Sequence, residues 1–138
     1  MSIRLATLDD IPRLMEIREA VRDNRLSDPG LVPASEYVAF IGHSGIWVWE
    51  EEGRIVGFAS GDTRSGWVWA LFVDPDHEGR GIGRALLPAA CDTLRRAGHR
   101  MLRLSTAPGT RAERFYRTAG WHAAGRTASG ETIFEKSG

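Results

Sequence analysis

Residues 77–87 read HEGRGIGRALL: Gly79, Gly81 and Gly83 fall within five positions, and an apolar segment with helical spacing follows at once. Glycine lets a backbone fold back tightly and approach a ligand with no Cβ in the way. The first amides of a helix have no intrahelical partner, and the positive end of the helix dipole lies with them. A glycine turn running into a helix therefore suits a phosphate or pyrophosphate, with Arg80 and Arg84 adding charge at its rim. The same turn also serves as a plain strand-to-helix connection. The dinucleotide pattern G-x-G-x-x-G fails from Gly79, where Arg84 takes the last place, and from Gly81, where Leu86 does. No Gly-Lys-Ser/Thr of a P-loop occurs.

Just upstream, WVWALFV (67–73) is a nearly unbroken apolar run, the pattern of a strand buried on both faces, and Asp74-Pro75 ends it. Downstream, Ile82, Leu86, Ala90 and Leu94 make one stripe of a helix over about residues 81–97, with Gly98 as its stop. Pro88 lies inside that helix and removes the bond to the Arg84 carbonyl. MLRLST (101–106) alternates as a strand, which completes a βαβ unit, parallel and right-handed.

Farther out, IWVWE and IVGFASG flank the turn EEGR as a hairpin. Residues 3–6 read as a first strand. Thr7 and Asp10 have capping-box spacing before a helix that carries Ile11, Leu14, Met15 and Val21 on one face and ends near Asn24. Ser35 is placed to cap a short second helix through Tyr37, Phe40 and Ile41. Thr110 and Glu113 open a last helix that Gly120 closes, and residues 121–126 and 132–136 form a final hairpin. The order β-α-α-β-β-β-α-β-α-β-β has no repeat or linker, so a single α/β (α+β) domain over residues 1–138 is predicted.

The composition, 42% hydrophobic and 26% charged residues, is that of an ordinary globular chain. No apolar run approaches the ~20 residues of a membrane span, and charges fill the N-terminal stretch, so a cytoplasmic protein with no membrane partner is expected. Cys91 is the lone cysteine and the four histidines lack ligand spacing, so neither an intrachain disulfide nor a metal is expected. The zero net charge hides an asymmetry. Residues 1–76 carry seven arginines against thirteen carboxylates, and residues 77–126 carry ten against three. A basic half beginning at the glycines points to an anionic ligand there. Its arginines lie on several elements without interleaved aromatics, so nucleic acid is not the expected ligand.

VDPDHEGRGIGRALL (73–87) resembles the acyl-CoA-binding motif of the GNAT superfamily of N-acetyltransferases, and RFYRTAGW (114–121) is similar to that family's later FY-x-x-x-GF segment. The resemblance implies a GNAT-like fold: a central, mixed, mostly antiparallel sheet of about seven strands flanked by about four helices. It implies acetyl-CoA as co-substrate and an amine of a small molecule, peptide or protein as acceptor, with no metal, and it leaves a homodimer open. The cofactor-binding residues it implies are the backbone of Leu71, Phe72 and Val73, and the turn Glu78, Gly79, Arg80, Gly81, Ile82, Gly83 and Arg84. Two positions depart from the pattern. Glu78 stands where the family has Gln or Arg, and Gly109 stands where many members have an Asn that contacts the cofactor.

By the same resemblance an amine attacks the thioester directly, and Tyr116 is the general acid that protonates the leaving thiolate. A phenol and a thiolate have comparable basicity, which suits that transfer. Glu50 is the candidate base, chosen among acidic residues of the hairpin and Asp62. Trp47 and Trp49, and Trp67 and Trp69, sit at i and i+2 on adjacent strands and form either an acceptor wall or core. Arg25, in the loop NRLSDPG, is a further acceptor candidate. The alternative function is a non-catalytic acyl-CoA-binding or sensor domain of the same fold, which the departures at Glu78 and Gly109 favour.

Overall fold

A computed structural model describes residues 2–22 and 32–137. Seven strands and four helices appear in the predicted order: β1 Ser2–Leu5, α1 Ile11–Arg22, α2 Ala34–His43, β2 Trp47–Glu51, β3 Arg54–Asp62, β4 Trp67–Val73, α3 Ile82–Arg96, β5 Met101–Thr106, α4 Arg111–Thr118, β6 His122–Arg126 and β7 Thr132–Ser137. They form one sheet, ordered β1-β2-β3-β4-β5-β7-β6, antiparallel at every pairing except β4 with β5.

Local chemistry sets the boundaries. Glu52 and Gly53, the two residues between β2 and β3, both have positive φ (50° and 75°), the primed turn whose twist matches the flanking strands. The Thr110 hydroxyl accepts the Glu113 amide at 3.2 Å and so caps α4. Glu113 reaches past the cap to the Gly109 amide (3.1 Å), a variation on the expected capping box. The second helix starts one residue before Ser35, on Pro33 as its cap. Among the described residues no helix is long and apolar enough to cross a membrane.

Two layers cover the sheet. Leu14 and Ile17 of α1 and Tyr37 and Phe40 of α2 bury against Val48, Phe58 and Ala70 on one face. On the other, α3 sets Ile82, Leu86 and Ala90 on Trp49, Val56 and Ala59. Leu94, Leu102, Leu104, Tyr116, Trp121 and Phe134 continue that side under α4. α3 comes so close to β3 that a Cβ on Gly61 would meet Leu94 Cγ at 2.7 Å and the Ala90 carbonyl at 2.9 Å. Backbone cannot yield cheaply, so Gly61→Ala is expected to cost about 1–3 kcal/mol in a denaturant titration.

Two irregularities shape β4. The pairs Ser60–Ala70 and Gly61–Val68 leave Trp69 as an extra residue, so Trp69 and Ala70 both join the layer under α1 and α2 while Leu71 joins the other side. Toward β5, only Trp67 pairs, with Arg103; the Arg103 amide donates to the Gly66 carbonyl at 3.1 Å. Beyond that point the two parallel strands part, and the edge of β4 toward β5 carries no ladder.

Candidate functional site

The exit from β4 is built to hold the glycine turn in place. Asp74 caps a single 3-10 turn by accepting the Asp76 amide at 3.0 Å, and Arg13 of α1 donates to its other oxygen at 2.7 Å. Burial pushes the Asp74 carboxyl up, but the Asp76 amide and Arg13 outweigh it and hold it below its ordinary value. Gly79 and Gly81 then take φ of 78° and 82°, the left-handed region where a side chain is strained. Gly81 caps α3. The first helical bond runs from the Ala85 amide to the Gly81 carbonyl (3.1 Å), so the amides of Ile82, Gly83 and Arg84 precede the ladder. Nothing lies within 4 Å of a Cβ placed on Gly81, so the space before these amides is open.

Charged side chains ring this opening. Arg80 pairs with Glu51 at 3.0 Å, and Glu51 also accepts Trp49 Nε1 at 2.9 Å. The Trp49 hydrogen bond above all, against some desolvation and with help from Arg80, keeps the Glu51 carboxyl below its usual range. Glu78 meets Arg111, from the start of α4, at 3.5 Å. The Arg111 guanidinium also comes within 3.4 Å of the place a Gly79 Cβ would take. The glutamate that departs from the motif is thus turned to an arginine across the opening.

The opening leads into a groove of about 680 Å³. Leu71, Phe72 and Val73 form the β4 wall, residues 77–84 the near end, and Arg111, Ala112, Phe115 and Tyr116 the α4 wall. Residues 71–73 and 78–84, named from sequence for the cofactor, and Tyr116 are therefore brought together. Tyr116 is only 7% exposed, with its ring packed on Phe115, Trp121 and Phe134 at centroid distances of 5.3, 6.1 and 6.1 Å. A second groove of about 860 Å³ runs between α3 and α4 and shares Arg84, Arg111 and Phe115 with the first. Arg95, Arg114 and Lys136 add three more cations to it. Cys91 lies there too, and burial pushes its thiol up, away from the reactive thiolate.

Other sequence candidates lie elsewhere. Glu50 accepts from Arg4 at 3.1 Å at the edge between β1 and β2, and it does not line the groove. Arg4 also binds Asp10 at 2.8 Å, a hydrogen bond that keeps the Asp10 carboxyl low. The tryptophans do not make one wall. Trp47 and Trp49 pack on the α3 side, Trp47 donating to Thr93 Oγ1 at 3.0 Å. Trp69 stacks on Phe40 at 4.0 Å on the opposite face, and Trp67 is half-buried. Gly109 is bonded to Glu113 and does not line the groove. Arg25 and the NRLSDPG segment lie outside the described residues.

Sequence reasoning missed five lining residues: Val21, His77, Arg111, Ala112 and Phe115. Arg111 was the most legible, because it follows the Thr110 cap and so sits on the first turn of α4. His77 stands with Nδ1 buried and without a hydrogen-bond partner, 3.9 Å from Asp74.

Residues 11–121 match the acetyltransferase (GNAT) family. Over 84 residues the chain is 34% identical to the peptidyl-lysine N-acetyltransferase YiaC of Escherichia coli strain K12; the match covers 61% of this chain. The chain spans about half (54%) of that curated relative. Its fold is similar to PaiA N-acetyltransferase from Thermoplasma acidophilum in complex with coenzyme A, with TM-score 0.83, 19% identity and 100% of both chains covered. It is likewise similar to yncA from Salmonella typhimurium with acetyl-CoA, with TM-score 0.78, 22% identity, and 99% and 92% covered.

Proposed function

Because the chain belongs to the acetyltransferase (GNAT) family, we propose that it transfers the acetyl group of acetyl-CoA to a primary amine of a small molecule, peptide or protein by direct attack in a ternary complex. The observation that carries this reading is the parting of β4 from β5 beside the glycine turn, which joins an open strand edge to a row of unpartnered helix amides. The peptidyl-lysine activity of the relative YiaC is in keeping with a peptide or protein acceptor.

In this reading the amides of Ile82, Gly83 and Arg84 hold a pyrophosphate, with Arg80 and Arg111 at its rim. The basic groove between α3 and α4, continuous through Arg84 and Arg111, takes the remaining phosphate-bearing end. The open edge of β4 at Leu71, Phe72 and Val73 offers backbone groups to a slender, amide-bearing arm. Acetyl-CoA supplies the activated thioester. As the amine nitrogen bonds to the carbonyl carbon and the C–S bond breaks, Tyr116 Oη gives its proton to the departing sulfur, and the proton shed by the amine goes to solvent, from which the phenol is restored; the packed ring keeps that oxygen in one place. A base role for Glu50 needs its release from Arg4; an unchanged pH–rate profile in Glu50→Gln would leave the ion pair as its whole role.

Release of free thiol on mixing the protein, acetyl-CoA and a panel of amines tests the proposal. Coenzyme A binding without release for any amine would favour the non-catalytic acyl-CoA-binding or sensor reading. Glu78→Gln separates the two roles of the rim. It removes a carboxylate beside the anion and frees Arg111, so coenzyme A should bind about 2–5-fold tighter at low salt, with the gain shrinking as salt is added. Calorimetry at two ionic strengths reads both effects.

A further inference from the structure

Arg18 of α1 is a cation set among aromatic rings with an unused donor. Its guanidinium carbon lies 4.7 Å from the Phe72 ring centroid and 5.2 Å from that of Trp69. Its Nη1 is buried and has no hydrogen-bond partner, although the residue as a whole is partly exposed. The rings attract the cation but cannot accept its N–H groups in the plane of the fork. A guanidinium does not discharge in a protein, so the deficit stands at every working pH.

The helix does not lack the means to satisfy an arginine. Arg13, five residues earlier, donates to the Ile55 carbonyl at 2.8 Å, to Glu16 at 2.7 Å and to Asp74 at 2.7 Å. Among the described residues no carboxylate forms an ion pair with Arg18. Phe72 beneath it and Val21, nearly one turn on, both line the groove. The Tyr37 hydroxyl is close by: burial pushes its pKa up, and the Arg18 charge opposes that rise. An arginine fork with a desolvated, unpaired Nη1 beside the groove is suited to a carboxylate, the planar group that a guanidinium recognises best.

We propose that Arg18 is a specificity-determining residue that binds a carboxylate of the acceptor. The amine that is acetylated then belongs to a carboxylate-bearing molecule: a free amino acid, or a peptide with an acidic group beside its reacting amine. This rests on the acyl-transfer reading, and the test keeps the two apart.

Thiol release is measured with paired acceptors: amino acids against their amides, and peptides with Glu or Gln beside the amine. The expected result is a ratio of kcat/KM about 10–100-fold in favour of the carboxylate partner, expressed mainly in KM. Whichever pair shows the larger ratio identifies the source of the carboxylate. Arg18→Gln should bring the ratio close to one, and Arg18→Lys should restore part of it. A wild-type ratio near one, or a ratio that survives Arg18→Gln, overturns the proposal.

Should no amine release thiol, the acyl-transfer reading fails by itself and the site is read by binding. In the presence of coenzyme A, calorimetry compares N-acetylamino acids with their methyl esters. Acids should bind at least 10-fold tighter than esters in the wild type, and equally in Arg18→Gln. Equal binding of acids and esters to the wild type overturns the proposal whatever the enzyme does.

Discussion

In the Tyr116→Phe variant, turnover is expected to fall about 100-fold while affinity for coenzyme A stays within about twofold. The reasoning separates the ring from its oxygen. The ring is fixed by Phe115, Trp121 and Phe134 and is almost fully buried, so phenylalanine fills the same space and the α4 wall keeps its shape. What is lost is the hydroxyl proposed as proton donor to the leaving sulfur, and positioned proton transfer contributes about 10²–10⁴-fold to such reactions. A removed transition-state interaction lowers kcat and kcat/KM together and leaves ground-state binding alone. Steady-state kinetics together with calorimetry give both quantities, and turnover equal to wild type across the pH range would strip Tyr116 of the role.

Gly81→Val is expected to weaken coenzyme A binding by more than 100-fold. Two causes add. The residue sits at φ 82°, where a β-branched side chain is strained by about 1–3 kcal/mol, and its relaxation would turn the first amides of α3 away from the groove. Its Cβ would also project into the open space that the phosphates are proposed to fill. In the free protein that Cβ touches nothing, so the defect belongs to the ligand-bound state and the fold should persist with lowered stability. Gly83 provides the control. It has no positive φ, and a Cβ there makes ordinary contacts with Val73 at 3.7 Å and Phe115 at 3.9 Å, so Gly83→Ala should bind within a few-fold of wild type. Calorimetry on both variants decides: wild-type affinity in Gly81→Val would move the phosphate site away from this turn.

The element order and the glycine turn before α3 were legible because both rest on local signals: period-2 and period-3.6 patterns, capping residues, and glycines ahead of a helix. Helix ends at Gly81 and Ala97 followed from the same chemistry. Long-range pairing was not legible. The i and i+2 rule held for Trp47 and Trp49, which share the α3 side, but the extra residue at Trp69 flips the alternation of β4, so the rule could not serve for Trp67 and Trp69. Glu78 and Arg111 stand 33 positions apart and Glu50 and Arg4 stand 46 apart, so their pairing is a product of the finished fold. Arg18 gave no signal at all, since a charge on an amphipathic helix reads as solvated until the rings beneath it are seen.

The gap between β4 and β5 has one more consequence. A strand edge with unused amides and carbonyls is ordinarily a template for unwanted pairing, and proteins guard it at the margins of a sheet with charge, bulges or cover. Here such an edge lies in the middle of the sheet, at the bottom of a trench walled by the start of α3 and by α4. The start of α3 and α4 stand over this edge, so the sheet's own helices cover it in place of charge or a bulge. The proposed amide-bearing arm would then use backbone groups that the fold already keeps from other chains.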